Sequence, residues 1–471
     1  MKTKQWILLA TLASTLLIGS SISAAEINED KFKWITINGS ISEIAEITQK
    51  SNINEIPYPL DLNTPPDKLT NKLLLDSYIE KQRIKQDFPN IKKLIESDPK
   101  SFSGHYYEAD KGTVIVQITE NSEALKEKVR QSIQHDDKVE FEVTKFSWAD
   151  IEKAKETIIK NVKPGTVRAL IPDIKNNKLV IAFDEETFVN QKLIYEKTVS
   201  SLIPQSEMLD YTTIPASSLT VETDNTHYGT PFPMGSKIGG DYVPAGQNSY
   251  NYSVCTAGYF GRVYNSQEVL VTSGHCQDNA RTNVSWYQPT WNNTTIGNFA
   301  FRTESAADGS NKVADAGYIT LNSNYAGRPR VPYPSTSNMA MVTGVYVSDT
   351  PGDTIYLRGA NSGTTTTGKI AYSNVDIYWG GSGYGYKRSE ILATGYTSMG
   401  GDSGGPILTN YTYNNALTGW TFDLAGIHTG VVTLTSTVST IPPGTYKVYD
   451  PIWTTFTDLN LTGIKLVSTQ P

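Results

Sequence analysis

The chain has little of several things that would narrow its function. It contains two cysteines and five histidines in 471 residues. Two cysteines are too few for a four-ligand zinc site or a framework of disulfides. No cofactor is expected. A net charge of -7 offers no basic surface of the kind that nucleic-acid binding requires. The composition therefore argues against nucleic acid as a partner.

Long apolar runs are also scarce, and the clearest one lies at the N-terminus. Lys2 and Lys4 precede the apolar stretch Ile7–Ile18, and Ser23-Ala24-Ala25 offers small residues for cleavage. This pattern is typical of a secretory signal peptide, and the run is too short for a resident membrane helix. We expect residues 1–25 to be removed, with an uncleaved anchor as the alternative. The protein is then secreted and free of the membrane, and its cysteines meet an oxidising environment.

Charge divides the rest of the chain in two. Only 13 of the 41 basic and 14 of the 48 acidic residues lie in Lys237–Pro471, which is instead dense in Gly, Thr, Tyr, Ser and Asn. Residues 206–237 are rich in Pro, Thr, Ser, Asp and Gly and resemble an exposed linker that proteases cut. We therefore predict a domain at 26–205, a processing linker at 206–237 and a second domain at 238–471.

The first domain is predicted to be an α+β module. Residues 26 to about 110 favour helix or irregular structure, with helical spacing over Leu69–Ile95. Beyond them, strands and helices alternate: strands at 113–119, 139–143 and 179–183, helices at 122–133 and 147–159. Ser147 followed by Asp150 is a near-match to a capping box. His105 and His135 stand alone and are interpreted as ordinary structural histidines.

The second domain shows short alternating stretches separated by Gly, Asn, Ser and Pro, a pattern typical of an all-β sandwich or barrel. The stretches are Glu268–Val271, Gly317–Leu321, Val345–Val347, Thr354–Leu357 and Val375–Trp379. A helix is expected only near the end, around Pro451–Leu459.

Two motifs in this domain carry chemistry. Ser403 lies in the glycine-rich run Gly400-Gly401-Asp402-Ser403-Gly404-Gly405-Pro406, and His275 follows an apolar run in Val271-Thr272-Ser273-Gly274-His275-Cys276. A serine hydroxyl becomes nucleophilic when a neighbouring base accepts its proton, and glycines let backbone N–H groups approach a substrate closely. The amides of Gly401 and Ser403 are predicted to hold a developing oxyanion.

A catalytic histidine also needs a carboxylate to orient it. Asp315 lies between small residues just before a predicted strand and is the preferred candidate. Asp308 is the rival, although Asp308-Gly309-Ser310 resembles a solvated turn. Cys255 and Cys276 are expected to form a disulfide that braces His275, worth ~3 kcal/mol for a loop of about 20 residues. The alternative is a reactive free thiol.

These motifs together resemble a chymotrypsin-like serine peptidase of the secreted bacterial streptogrisin and α-lytic endopeptidase branch. The resemblance rests on four stretches of roughly the last half of the chain: Ile238-Gly239-Gly240, Cys255-Thr256-Ala257-Gly258-Tyr259, Ser273-Gly274-His275-Cys276 and Gly401-Asp402-Ser403-Gly404-Gly405-Pro406. It implies an all-β catalytic domain of two packed six-stranded antiparallel barrels. It also implies that the preceding α+β domain is a pro-domain that assists folding and blocks the site in cis until it is removed.

The chain also departs from that branch. It has no cysteines for the further disulfides usual there, including one near the specificity pocket. Asp402 is buried and paired in the family, but no partner for it is evident in the sequence.

The stretch Ala425-Gly426-Ile427-His428-Thr429-Gly430 resembles the strand along which the family pairs the substrate backbone. A histidine at 428 is similar to the glutamyl endopeptidases, where it meets a substrate carboxylate, and imidazole becomes cationic readily beside one. Ser398 is a hydroxyl partner in the expected pocket wall. Cleavage after Glu or Asp is thus expected, with Glu222 a candidate self-processing point. The alternatives are a His428 that bonds only within the barrel and cleavage after apolar residues.

The peptidase is expected to be a monomer that acts on proteins or peptides. Two other classes of protein are alternatives. The run around Ser403 also fits the G-x-S-x-G pattern of α/β hydrolases, but those enzymes need the order Ser, Asp, His and helices after their strands. A barrel that survives as an inactive binding protein usually loses a triad residue, whereas all three are present here. A stabilising calcium site stays open, although the chemistry requires no metal.

Overall fold

The structure is a computed structural model that describes most of the chain from residue 83 onward. The described ranges are 32–36, 56–57, 83–109, 111–163, 165–215, 232–242, 251–264, 267–277, 284–288, 294–303, 314–333, 339–363, 365–379, 386–414, 417, 419–435 and 439–468. The predicted signal peptide, Glu222 and Asp308 lie outside them.

The described residues are mostly β-strand, in agreement with the class predicted for the C-terminal half. In chain order the strands are β1 Phe32–Thr36, β2 Ile56–Pro57, β3 Phe102–Glu108, β4 Thr113–Ile118, β5 Val139–Val143, β6 Val167–Asp173, β7 Lys178–Asp184, β8 Leu209–Ile214, β9 Phe232–Pro233, β10 Lys237–Tyr242, β11 Asn251–Thr256, β12 Tyr259–Arg262, β13 Glu268–Ser273, β14 Val284–Gln288, β15 Thr294–Arg302, β16 Ala316–Leu321, β17 Gly327–Arg328, β18 Arg330–Pro332, β19 Met339–Val345, β20 Thr354–Arg358, β21 Thr365–Tyr378, β22 Tyr386–Thr394, β23 Pro406–Asn414, β24 Gly419–Leu434, β25 Gly444–Pro451 and β26 Gly463–Val467. The helices are α1 Phe88–Ser97, α2 Glu123–Arg130, α3 Trp148–Asn161, α4 Glu185–Leu202 and α5 Ile452–Asp458.

The region before residue 215 is built from two small α+β layers. Strands β3, β4 and β5 form one sheet under α1 and α2, while β6, β7 and β8 pack against α3 and α4. The predicted capping box is present at the start of α3, because the Asp150 N–H donates to the Ser147 hydroxyl at 3.1 Å and Asp150 accepts the Ser147 N–H at 3.0 Å.

Several strands appear where the sequence did not predict them. Residues 26–110 were expected to be helical or irregular, yet they include β1, β2 and β3, and β3 is buried along nearly all its length. Strand β8 lies within the range interpreted as linker and pairs with β7 in parallel. For β1, the hydrogen bonds come from the distant strand β26, which a local sequence pattern does not reveal.

The region after residue 232 contains most strands of two curved, mainly antiparallel sheets, in which β19 pairs with β24 in parallel. The first has the order β1-β26-β12-β13-β16-β15-β14-β10-β11, and the second includes β18 to β25. Side chains from both sheets meet in one large apolar core. Helix α5 forms where a helix was expected, whereas β19 ends at Val345 and β21 begins ten residues before its predicted start at Val375.

The two regions share a sheet and buried charges. Strand β6 pairs with β21, so that Leu170 lies opposite Asp376. Lys155 lies 3.3 Å from the Asp376 carboxylate, and both side chains are 1% exposed. Lys85 and Asp353 form a second buried pair at 2.5 Å. Removing one partner of such a pair leaves an uncompensated buried charge, typically at a cost of ~3–5 kcal/mol.

Candidate active site

Strand β13 leads directly into a 3-10 turn that carries His275. The imidazole Nδ1 lies 2.5 Å from Asp315 Oδ2, and the backbone N–H of His275 donates to Asp315 Oδ1 at 3.0 Å. The Asp315 side chain is 6% exposed and that of His275 is 30% exposed. The carboxylate therefore holds both the ring and the backbone of one histidine, while part of that ring stays accessible.

The surroundings shift the pKa values of His275 and Asp315 in opposite directions. Burial lowers the pKa of His275, but the charge and hydrogen bond of Asp315 outweigh it, and the net shift is upward. Burial raises the pKa of Asp315, but His275 outweighs it and the net shift is downward. The arrangement favours a charged aspartate beside a histidine that readily accepts a proton.

Ser403 lies in a tight turn that two glycines make possible. Gly401 has φ +92° and Gly404 has φ +83°, values in the left-handed region that favours glycine. A Cβ at Gly401 would lie 2.2 Å from Asn361 Nδ2, and one at Gly404 would lie 2.0 Å from Thr272 Oγ1. Side chains at these two positions would clash with the neighbouring loops.

Among the described residues, the backbone N–H groups of Gly401 and Ser403 in this turn donate no hydrogen bond. Three neighbouring N–H groups are engaged: that of Asp402 donates to Met399, that of Gly404 to His428 and that of Gly405 to Asp402. Buried backbone donors are nearly always paired. The two unengaged amides are the pair predicted to form an oxyanion hole.

Several bonds tie the histidine turn to the serine turn. The Thr256 N–H donates to the Ser403 carbonyl at 2.8 Å, and the Thr256 hydroxyl donates to the Gly401 carbonyl at 2.8 Å. The predicted Cys255–Cys276 disulfide is present, with the two Cα atoms 6.2 Å apart. Strand β11 therefore links Cys276, the residue after His275, to the turn that carries Ser403.

The Ser403 hydroxyl donates to the Thr429 carbonyl at 3.5 Å, a long contact, and not to His275. Catalytic hydrogen bonds are often long or misaligned in free enzymes and tighten when substrate binds. Rotation about the Ser403 Cα–Cβ bond would release this weak contact.

A second acidic layer behind Asp315 was not predicted. Asp450 accepts the Asp315 N–H at 3.1 Å and the Thr429 hydroxyl at 2.6 Å, and it is fully buried. Burial, assisted by the charge of Asp315, raises its pKa to about 7. Glu390 is also fully buried, and burial raises its pKa well above the ordinary range. The buried Lys387 donates to the Ala314 carbonyl at 3.1 Å in the same layer.

The structure supplies the partner of Asp402 that the sequence left open. Its Oδ1 accepts the backbone N–H groups of Asn361 and Ser362 at 2.8 and 2.9 Å, and its Oδ2 accepts that of Met399 at 2.9 Å. No motif marks these donors, because backbone amides carry no side-chain signal.

Of the predicted specificity residues, His428, Thr429 and Gly430 lie within β24, and Ser398 lies in the segment after β22. His428 Nδ1 lies 3.1 Å from the Tyr396 hydroxyl, and the two rings meet edge to face. The Ser398 hydroxyl oxygen is buried and has no hydrogen-bond partner among the described residues. Gly430 lies beneath Trp379, since a Cβ there would be 2.9 Å from the indole. Thr429 is engaged by Asp450, as described above.

The surroundings of His428 set the charge of its ring in the substrate-free protein. Burial, together with the charges of Lys447 and His275, lowers its pKa to about 3. The ring is therefore neutral at ordinary pH before a substrate carboxylate is bound. The sequence could not show this, because the shift comes from desolvation and from residues distant in the chain.

No protein-family model matches this chain, and neither does any curated protein. Solved structures do match over about half of it. Protease A of Thermobifida fusca is 20% identical, with 49% of this chain and 97% of that one covered at a TM-score of 0.32. Nocardiopsis protease is 18% identical, with 45% of this chain and 93% of that one covered at a TM-score of 0.32. A third match is a glutamic acid specific serine protease, described as using a histidine triad in substrate binding. It is 18% identical, with 50% of this chain and 100% of that one covered at a TM-score of 0.33.

The described residues include no helix that is long and apolar enough to cross a membrane. They also include no group of three or more His, Cys, Asp or Glu side chains placed to hold a metal ion.

Proposed function

We propose that the protein is a secreted serine endopeptidase, made as a zymogen, that cleaves peptide bonds preferentially after Glu or Asp. Residues 238–471 are the peptidase domain, built as two barrels, and residues 26–205 are the pro-domain. The observation that carries the proposal is the convergence at one serine. An aspartate-held histidine and two unengaged backbone N–H groups are tied to the same turn.

The proposed mechanism is acyl transfer to water. His275 Nε2 takes the proton of Ser403, whose oxygen attacks the peptide carbonyl carbon. The amides of Gly401 and Ser403 hold the oxyanion, and the imidazolium, steadied by Asp315, gives its proton to the leaving amine. A water molecule, deprotonated by His275, then attacks the acyl-enzyme and releases the acid while Ser403 regains its proton.

Zymogen character is supported by the contacts of the N-terminal region. The strand pairing of β6 with β21 and the buried Lys155–Asp376 pair place that region against the proposed peptidase domain as one folded unit. Self-processing is proposed in the linker, with Glu222 as the candidate point. Secretion is supported by the N-terminal pattern and by the Cys255–Cys276 disulfide.

The acidic preference is supported by the polar side chains of Tyr396 and Ser398, which follow β22, and of His428 in β24. The unpartnered Ser398 hydroxyl and the His428–Tyr396 pair offer hydrogen bonds to a substrate side chain. Buried groups of this kind reject a substrate that leaves them unpaired.

Mass-spectrometric mapping of cuts in a mixed peptide library tests the proposal, with the Ser403→Ala protein as control. We expect cuts clustered after Glu and absent from the control. Cuts after apolar or basic residues would keep the peptidase and remove the acidic preference. Processed protein that makes no cut would overturn the peptidase itself.

The pH dependence of kcat/KM follows from the pKa of His275. The base must be neutral to accept the serine proton, so activity is full above its pKa and falls as pH drops through it. Because Asp315 raises that pKa in spite of burial, the acidic limb is expected above the ordinary value of about 6.5. A pH–rate profile on a neutral ester checks this, since neither its leaving group nor its side chain titrates in that range. An acidic limb well below pH 6 would contradict the proposed base.

A further inference from the structure

Strand β25 carries one lysine, Lys447, beside β24, the strand of His428. Tyr449 lies opposite His428 in the pairing of β25 with β24, and Lys447 lies opposite Ala393 in the pairing with β22. Because side chains alternate along a strand, Lys447 shares a face with Tyr449.

That face is the interior one. Tyr449 and Ala393 belong to the same buried cluster as Tyr396, whereas Tyr446 and Val448 belong to the cluster on the opposite face. Lys447 is therefore directed to the side of the sheet where His428 and Tyr396 meet, not to the side that contacts β6.

The ammonium group of Lys447 is half-buried and has no ion-pair partner among the described residues. The nearest acidic influence is Asp402, but both of its oxygens already accept backbone N–H groups. Burial lowers the pKa of Lys447, and the charge of Asp402 offsets this only in part. Half-buried lysines normally reach either water or a carboxylate.

In the substrate-free protein His428 carries no positive charge, because burial, together with the charges of Lys447 and His275, lowers its pKa to about 3. Apart from His275, His428 is the only histidine after residue 237. Residues 238–471 therefore cannot supply a group of three histidines to the pocket.

We propose that Lys447 is the specificity-determining cation of the pocket and binds the carboxylate of the substrate residue before the cleaved bond. The proposal rests on the proposed peptidase function and deepens it. The Ser398 hydroxyl, which lacks a partner, gives a second hydrogen bond, while His428 and Tyr396 form a neutral wall. A charged amine and a hydroxyl together distinguish Glu from its uncharged isostere Gln.

The test compares three peptide substrates that differ only in Glu, Gln or Leu before the cut. The full chain is expressed, allowed to mature, and titrated with a fluorophosphonate so that rates are normalised to reactive Ser403. We expect Lys447→Met to lower kcat/KM for the Glu substrate by roughly a hundredfold and to leave the Gln and Leu substrates within a few fold. The matched control is Lys369→Met, because Lys369 is an exposed lysine of the neighbouring β21.

Two further variants keep the test decisive if Lys447→Met fails to fold. Lys447→Arg keeps the charge and is expected to retain a preference for Glu over Gln, whereas Lys447→Glu is expected to move the preference toward substrates with Lys or Arg.

The outcomes separate the two proposals. A wild-type enzyme that prefers Glu, with an unchanged Glu-to-Gln ratio in Lys447→Met, would overturn the role of Lys447 alone. A wild-type enzyme that prefers Leu would overturn the acidic preference and with it the role of Lys447. Fluorophosphonate labelling without cleavage of any of the three peptides would overturn the peptidase proposal for these substrates.

Discussion

Replacing Ser403 with alanine is expected to lower kcat for peptide hydrolysis by about a million-fold, the order seen when a triad nucleophile is removed. No other hydroxyl in the turn can replace it, since Ser403 is the one hydroxyl residue between the left-handed glycines Gly401 and Gly404. The precursor should also remain uncut, because the proposed self-processing uses the same serine. Peptide assays and the mass of the secreted chain measure both effects.

Ser323→Ala is the matched control for that variant. Ser323 is exposed and its hydroxyl contacts only the neighbouring Asn324, so the same chemical change there should leave activity and processing intact. Hydrolysis by Ser403→Ala at even one hundredth of the wild-type rate would contradict the assignment of the nucleophile.

Replacing Asp315 with asparagine is expected to lower kcat by roughly ten-thousand-fold. The side-chain oxygen of asparagine can still accept the His275 N–H, which Asp315 Oδ1 accepts at 3.0 Å. The amide NH2 would then face His275 Nδ1 and donate to it. That bond fixes the proton on Nε2, so the ring could no longer accept the proton of Ser403.

The comparison variant is Asp308→Asn, because Asp308 is the rival that the sequence allowed. It should retain wild-type kcat, and both variants should keep their thermal melting point within a few degrees. Loss of activity in Asp308→Asn but not in Asp315→Asn would exchange the two assignments.

The sequence predicts the local features of this protein well. Ser147 and Asp150 cap α3 as their spacing indicates, and the apolar alternation in 268–271 and 317–321 becomes β13 and β16. These features depend on neighbours within a few residues, so the local sequence is enough to predict them. Cys255 and Cys276 pair for a related reason, since no other cysteine competes.

Features that arise from distant contacts were not predictable in the same way. Lys85 and Lys155 are buried although lysine is ordinarily exposed, because carboxylates more than 200 residues away pair with them. The low pKa of His428 likewise depends on burial and on Lys447. The sequence identified the histidine but could not show its charge state.

The bonds of Asp402 bear on how the proposed precursor is kept silent. If that carboxylate had no hydrogen-bond donors in the precursor, an N-terminal ammonium group freed by cleavage could pair with it and complete the turn around Ser403. Here three main-chain N–H groups already satisfy the carboxylate while the N-terminal region is still attached. The turn around Ser403 therefore has its hydrogen bonds before any cut is made. We expect the proposed precursor to be inactive because substrate cannot reach this turn, and the proposed maturation to expose the turn without changing its bonds.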